Sequence, residues 1–297
     1  MLLRTLTDTL RQPRLLVLLF GLTLLPALPS ALALYGTIND EADRSLALLQ
    51  LLPGLNYTVF ADFMHTHDGA IWSVIRAGLW TALLSLVIGV WARGGMLYSI
   101  NHGFSAVAFW QSGTHYFGRN GRLLLYILVG VLLWLIVLFM IGLFGAGALV
   151  TILGDPFTER GYTLLAFALI LLFFMGLTHL LCVSQYAGVL MYQTDESRAI
   201  RAFWQGWRLV GQHRRATFGR FLLLLLAGVV LMAVYLLLES TFSAHNWLLI
   251  GLLFLGQQAF VLGRVALGVW SLRVAYETSR TLTKPVNTVA GVLMEPT

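Results

Sequence analysis

Residues 197–225 read SRAIRAFWQGWRLVGQHRRATFGRFLLLL, and they hold two patterns in succession. In the first half, apolar and basic residues recur with helical spacing. On a helix Ile200, Phe203, Trp204 and Trp207 share one face, and Arg198, Arg201, Arg208 and Arg215 lie mostly off it. Aromatic rings on one side and arginine on the other predict a helix lying in a membrane interface. From Phe221 onward charge disappears and a bilayer-length apolar run begins.

The tetrapeptide Ala202–Gln205, AFWQ, also stands at Ala108–Gln111. Sliding the chain by 94 residues places Gly94 on Gly188, Tyr98 on Tyr192 and AFWQ on AFWQ without a gap. The earlier copy, FSAVAFWQSGTHYFGRNGRLLLY (Phe104–Tyr126), carries a looser stripe of Phe104, Val107, Phe109 and Trp110. The chain start, MLLRTLTDTLRQPRLLVLLF (Met1–Phe20), sets Leu2, Leu3, Leu6 and Leu10 against Arg4 and Arg11. The unit is therefore an interfacial helix, a span out and a span back, used three times. Phe109, Trp110, Phe203, Trp204 and Trp207 are the expected interfacial anchors. All copies share one orientation, unlike the inverted repeats of many transporters.

Composition agrees. The chain is 58% hydrophobic and 11% charged, with mean hydropathy +0.81, where soluble domains carry about 25% charged residues. Apolar runs cover Leu15–Leu34, Ala77–Trp91, Leu123–Leu153, Tyr162–Cys182, Phe221–Leu238 and Trp247–Leu262. Each approaches the ~20 residues that cross a bilayer as a helix. None alternates as a barrel strand does. The expectation is an all-α, polytopic membrane protein of six transmembrane helices. The single cysteine, Cys182, excludes an internal disulfide and a cysteine-rich metal site. Eighteen of 19 basic residues are arginine, the exception being Lys284, and the pI is near 9.8. In a chain this apolar, such a balance points to anionic lipid headgroups rather than nucleic acid.

Charge alternates between the runs. Arg4, Arg11 and Arg14 precede the first. Arg93, Arg119 and Arg122 separate the second from the third, and six arginines lie from Asp195 to Arg220. Arg273, Arg280 and Lys284 close the chain. The opposite connections hold Asp40, Glu41, Asp43, Asp62 and Asp68 against Arg44 and Arg76, then Asp155 and Glu159, with Glu239 ending the fifth run. The positive-inside rule places both termini in the cytoplasm of a cell membrane. The expected organisation is one membrane domain over 1–284, with repeats at 1–103, 104–197 and 198–284, and a tail at 285–297. A competing reading makes Leu15–Leu25 the core of a signal peptide cleaved after Ala31-Leu32-Ala33, leaving five spans.

The segment RAFWQGWRLVGQHRRATFGRFLLLLL (Arg201–Leu226), preceded by a span ending AGVLMY (Ala187–Tyr192), resembles the bacterial family of glycerophosphoryl diester phosphodiesterase membrane domains and the related YciC-like six-span proteins. The resemblance covers about residues 75–280, and Gly206-Trp207-Arg208 is its most specific part. It implies a six-span fold in a bacterial inner membrane. Some family members carry a fused phosphodiesterase domain, and no water-soluble segment in these 297 residues is long enough to be one. Most stand-alone members have no assigned activity.

Ionisable groups deep in a membrane are functional candidates. His179 lies 13 residues before Tyr192, Arg264 lies 12 before Tyr276, and Ser85 lies 13 before Tyr98. At about 1.5 Å per residue each stands ~18–20 Å from its tyrosine, near mid-bilayer. Gln257 and Gln258 follow one to two turns further out. This polar layer suits an anion, a headgroup or a proton path; the plainer reading has Arg264 snorkelling and His179 bonded to backbone. Arg119, Arg122, Arg201, Arg208, Arg214 and Arg215 suit lipid headgroups or an acidic partner, or are ordinary positive-inside charge. His65-Thr66-His67-Asp68 holds too few ligands for a complete metal site. Leu46–Phe60 reads as a stretch resting on the outer leaflet, and Asn56-Tyr57-Thr58 fits a glycosylation sequon. No nucleophile elbow, zincin helix or phosphate loop occurs. The sequence thus predicts a non-catalytic, cofactor-free membrane protein organising anionic lipids, a partner protein or further copies of itself at the cytoplasmic face. A transporter, channel or lipid-translocating subunit using the polar layer is the alternative.

Overall fold

A computed structural model describes residues 1–42, 58, 68–153, 159–242 and 247–283. All its described elements are helices: α1 (Leu2–Leu10), α2 (Pro13–Leu24), α3 (Ala27–Ala42), α4 (Asp68–His102), α5 (Ala106–Leu153), α6 (Glu159–Gln193), α7 (Ala199–Gln212), α8 (Arg214–Thr241) and α9 (Trp247–Thr283). Six stretches are long and apolar enough to cross a membrane: Pro13–Gly36, Trp72–His102, Ala106–Gly147, Gly161–Gln193, Arg214–Thr241 and Trp247–Thr283. Multi-pass membrane architecture follows.

The first apolar run is not one straight helix. Pro26 lacks an amide proton and separates α2 from α3. Its own carbonyl accepts a hydrogen bond from Thr81 Oγ1 at 3.0 Å, and Ser30 Oγ donates to the Ala77 carbonyl at 2.8 Å. The Ser30 and Thr81 hydroxyl oxygens lie against each other. These bonds tie the bent first span to α4, so polar groups freed by the bend find partners inside the bundle.

One end of the bundle gathers the ends of α4, α6 and α9. Tyr276 OH donates to Asn101 Oδ1 at 2.7 Å, Gln193 Nε2 donates to the Tyr276 carbonyl at 3.2 Å, and Ser279 Oγ donates to Gln193 Oε1 at 3.1 Å. The buried core lies near this end, around Leu97, Val183, Tyr186, Val189, Val210 and Leu272. Further along the spans Phe139, Phe144, Leu164, Phe167 and Leu248 are exposed, as a lipid-facing surface must be.

The turns at the gathered end have local causes. α4 stops at Gly103, whose φ of +88° costs nothing without a Cβ, and Gly103 N–H donates to the Ser99 carbonyl. α6 stops at Asp195, with φ 48°, an αL position that aspartate tolerates. α2 opens on Pro13, where the missing donor is harmless.

The expected second interfacial helix is not a separate element. Ala106–Leu153 is one helix of 48 residues. No proline interrupts Phe117–Arg122, and Asn120 Nδ2 donates to the Val90 carbonyl across the helix pair. After the other two expected interfacial helices the chain does break, at Arg11–Gln12 before Pro13 and at His213, whose φ and ψ are −120° and 45°.

Candidate functional site

Each of α1 and α7 divides its surface three ways. On α7 Ala199, Ala202, Gly206, Leu209 and Val210 are buried. Gly206 lies on the backbone of Ala187 in α6, where an added Cβ would meet Ala187 N at 2.9 Å. Ile200, Trp204 and Trp207 are exposed at 44%, 57% and 40%, although one edge of Trp207 meets His179 of α6. Arg201, Gln205, Arg208 and Gln212 are exposed on the third side. On α1 Thr5 and Thr9 are buried, Leu3 and Leu10 are exposed, and Arg4 and Arg11 occupy the remaining side. Both helices carry two exposed arginines seven residues apart, Arg4 and Arg11 on α1 and Arg201 and Arg208 on α7.

The start of α5 departs from this plan. Phe109 is an expected anchor but is fully buried, packed on Gly95 and edge-on to Trp91 at 5.5 Å. Phe203 is half-buried. Trp110 is exposed at 49%, with its ring 4.4 Å from Trp91. The Phe109 and Phe203 rings both pack inward, Phe109 completely and Phe203 in part, the latter against the clusters around Val210 and Ala202.

Arg119 is likewise engaged. It pairs with Asp195, to which Tyr116 OH also donates at 3.3 Å. The Arg119 hydrogen bond and charge hold the Asp195 carboxyl below its ordinary value. Arg119 therefore clamps α5 to the α6–α7 turn and is not a free headgroup ligand. Arg122, Arg201, Arg208, Arg214 and Arg215 are exposed and carry no ion pair among the described residues.

The proposed polar layer does not converge. Ser85 lines a central cavity. His179 sits edge-on to Trp207 at 5.0 Å and near Phe218, in a recess that also holds Trp134 and Arg214. Arg264 is exposed over the Phe260 ring at 5.9 Å, in a third recess between α8 and α9. Gln257 lines a fourth, and Gln258 is half-buried. Counting along the sequence put these residues at one depth, but depth does not fix the side of the helix that each occupies.

Three arginines counted as end charge instead turn inward. Arg273 is 5% exposed. Arg220 Nη1 donates to Thr278 Oγ1 at 2.7 Å. Arg93 Nη2 donates to the carbonyls of Ser184 and Gln185 at 2.9 and 3.1 Å. Gly188 makes room for Arg93: a Cβ there would stand 2.6 Å from the guanidinium carbon. Arg93 lines the central cavity of about 510 Å³, an open cleft walled by α2, α4, α6, α8 and α9. It also lines a smaller cavity with Asn120, whose Oδ1 is buried without a partner. The signal for Arg93 in the sequence was its place five residues before Tyr98, next to Gly94-Gly95, inside a span end rather than beyond it.

His65, His67, the Asp68 side chain, Leu46–Phe60 apart from Thr58, and the 285–297 tail lie outside the described residues. No protein-family model, curated protein or solved structure matches the chain.

Proposed function

We propose that this is a non-catalytic multi-pass protein of a bacterial inner membrane that organises anionic lipid at its cytoplasmic face. The observation that carries the reading is the three-way surface of α7. One side, with Gly206 at its centre, packs on α6, one side leaves much of Ile200, Trp204 and Trp207 exposed, and one side is arginine and glutamine. A helix so divided suits the plane between acyl chains and headgroups, with rings below and guanidinium groups above. α1 repeats the arrangement and favours the three-copy reading. So does the pairing of Ser112 with Gly206 in the 94-residue register, since each packs on the preceding span, Ser112 at Gly94 and Gly206 at Ala187. Both helices sit at the arginine-rich end, which the positive-inside rule assigns to the cytoplasm together with both termini. Transport through a shared His179–Arg264 layer is the weaker reading, because those residues line separate recesses.

The test uses the full chain in nanodiscs of mixed phosphatidylglycerol and phosphatidylcholine, with retained lipid identified by native mass spectrometry. Wild type is expected to keep phosphatidylglycerol selectively. Replacing Arg201, Arg208, Arg214 and Arg215 with glutamine removes that selectivity. Equal retention by the variant overturns the proposal.

A further inference from the structure

We infer that the central cavity binds a single-chain amphiphile with an oxyanionic head, the head on Arg93 and the chain along α2, α4 and α9. A guanidinium offers five N–H donors. Arg93 Nη2 supplies the two bonds to the Ser184 and Gln185 carbonyls, while Nε and Nη1 have no acceptor among the described residues. Among the described residues no carboxylate pairs with Arg93 and none lines the cavity. A cation within a span is costly unless it is paired, and two helix carbonyls already engaged in the α6 backbone ladder supply no negative charge. The planar fork of arginine matches a carboxylate or phosphate.

The rest of the cavity fits a hydrocarbon tail. Leu19, Leu22, Ile88, Val265, Val269 and Leu272 line it. On α4 it extends from Ser85 to Met96, about 16 Å at ~1.5 Å per residue. Its volume of about 510 Å³ lies within the roughly 300–1,000 Å³ of small-molecule sites. Charge stands toward one end only, near the arginine-rich face, so the bound molecule lies with the polarity of a lipid in that leaflet. Gln185 Nε2 donates to Ser271 Oγ at 2.7 Å and fixes the wall behind Arg93.

This site is independent of the lipid belt on α7, and the two fail separately. The probe is oleate, added to the full chain in nanodiscs of phosphatidylcholine alone, with bound ligand counted by native mass spectrometry. One oleate per chain is expected. Arg93→Gln should weaken it about tenfold or more. Gly268→Leu should do the same with Arg93 intact. Gly268 stands where the cavity adjoins the recess of Arg264, and an added Cβ meets nothing within 4 Å, so leucine narrows the cavity from that side without displacing backbone. Oleyl alcohol, with a similar chain and no charge, should bind weakly. A lysophosphatidate of the same chain competes with oleate, and the tighter of the two identifies the head as phosphate or carboxylate. Unchanged oleate binding in either variant overturns the inference. So does equal binding of the alcohol, binding of neither anion, or a two-chain phospholipid that oleate does not displace.

Discussion

Arg93 and Gly188 form a matched pair: the guanidinium of one occupies the space that a side chain on the other would need. The match positions Arg93 beneath two α6 carbonyls and at the cavity wall. Gly188→Ala should push the guanidinium off those carbonyls and cost about 1–3 kcal/mol, the usual range for overfilling a packed site. Arg93→Ala should relieve the clash. A double-mutant cycle of thermal stability in detergent should then show the two changes strongly non-additive. Additive losses would mean that the contact does not couple α4 to α6.

Docking of α7 rests on Gly206 in the same way, but against backbone, which cannot yield as a flexible side chain can. Gly206→Val should lift α7 from α6. Cys182 reports this directly, as the sole cysteine of the chain, fully buried in the cluster that includes Leu209 and Val210 of α7. Maleimide labelling of Cys182 should accelerate severalfold in Gly206→Val. It should be unchanged in Trp204→Ala, because Trp204 is 57% exposed and its ring contact is with Phe203 of its own helix. Equal labelling of both variants would sever the link between Gly206 and α7 docking.

These contacts show what a sequence can and cannot reveal. Six apolar helices, the aromatic stripe of α7 and the arginine set beside it were all legible, because hydropathy and a 3.6-residue period are local properties. The unbroken α5 was not. The pattern at Phe104–Arg122 repeats the AFWQ of Ala202–Gln205, and nothing in it marks that the helix runs on unbroken through Arg119. Ser85, His179 and Arg264 share a distance from their tyrosines, yet they face different neighbours, and helix rotation is set by packing that no count along the chain contains. Arg93 was hidden for the converse reason. Positive-inside counting treats every arginine near a span end as surface charge, whereas glycine at position 188 lets this one enter the bundle.

The Asp195 clamp makes the arginine-rich end sensitive to acid. Arg119 lowers the folded-state pKa of Asp195 below its ordinary value, so the ionised carboxylate is the form that stabilises the fold. Its contribution is complete above the unfolded pKa and is lost as pH falls through the depressed folded value. Thermal stability should therefore hold near neutrality and decline below about pH 4, with a smaller decline in Asp195→Asn. Adding salt should weaken the effect, because the carboxylate is open to solvent. An identical acid profile in Asp195→Asn would assign the decline to other carboxylates.

The place of α1 depends on one indole. Trp270 Nε1, on α9, donates to the Leu2 carbonyl at 3.2 Å and to Thr5 Oγ1 at 3.0 Å, and both Thr5 and Thr9 are buried beneath the helix. Leu3 and Leu10 contribute little to that contact, being 78% and 55% exposed. Trp270→Phe keeps most of the ring surface but removes the donor, leaving the bond network of Thr5 incomplete at a cost of about 1 kcal/mol. That shift should raise tryptic cleavage after Arg4 or Arg11 roughly fivefold, as the undocked population grows. Leu3→Gln should behave oppositely, leaving cleavage in detergent unchanged while weakening lipid retention in nanodiscs. Equal cleavage of Trp270→Phe and wild type would show that membrane insertion of Leu3 and Leu10, rather than the indole, holds α1 on the bundle.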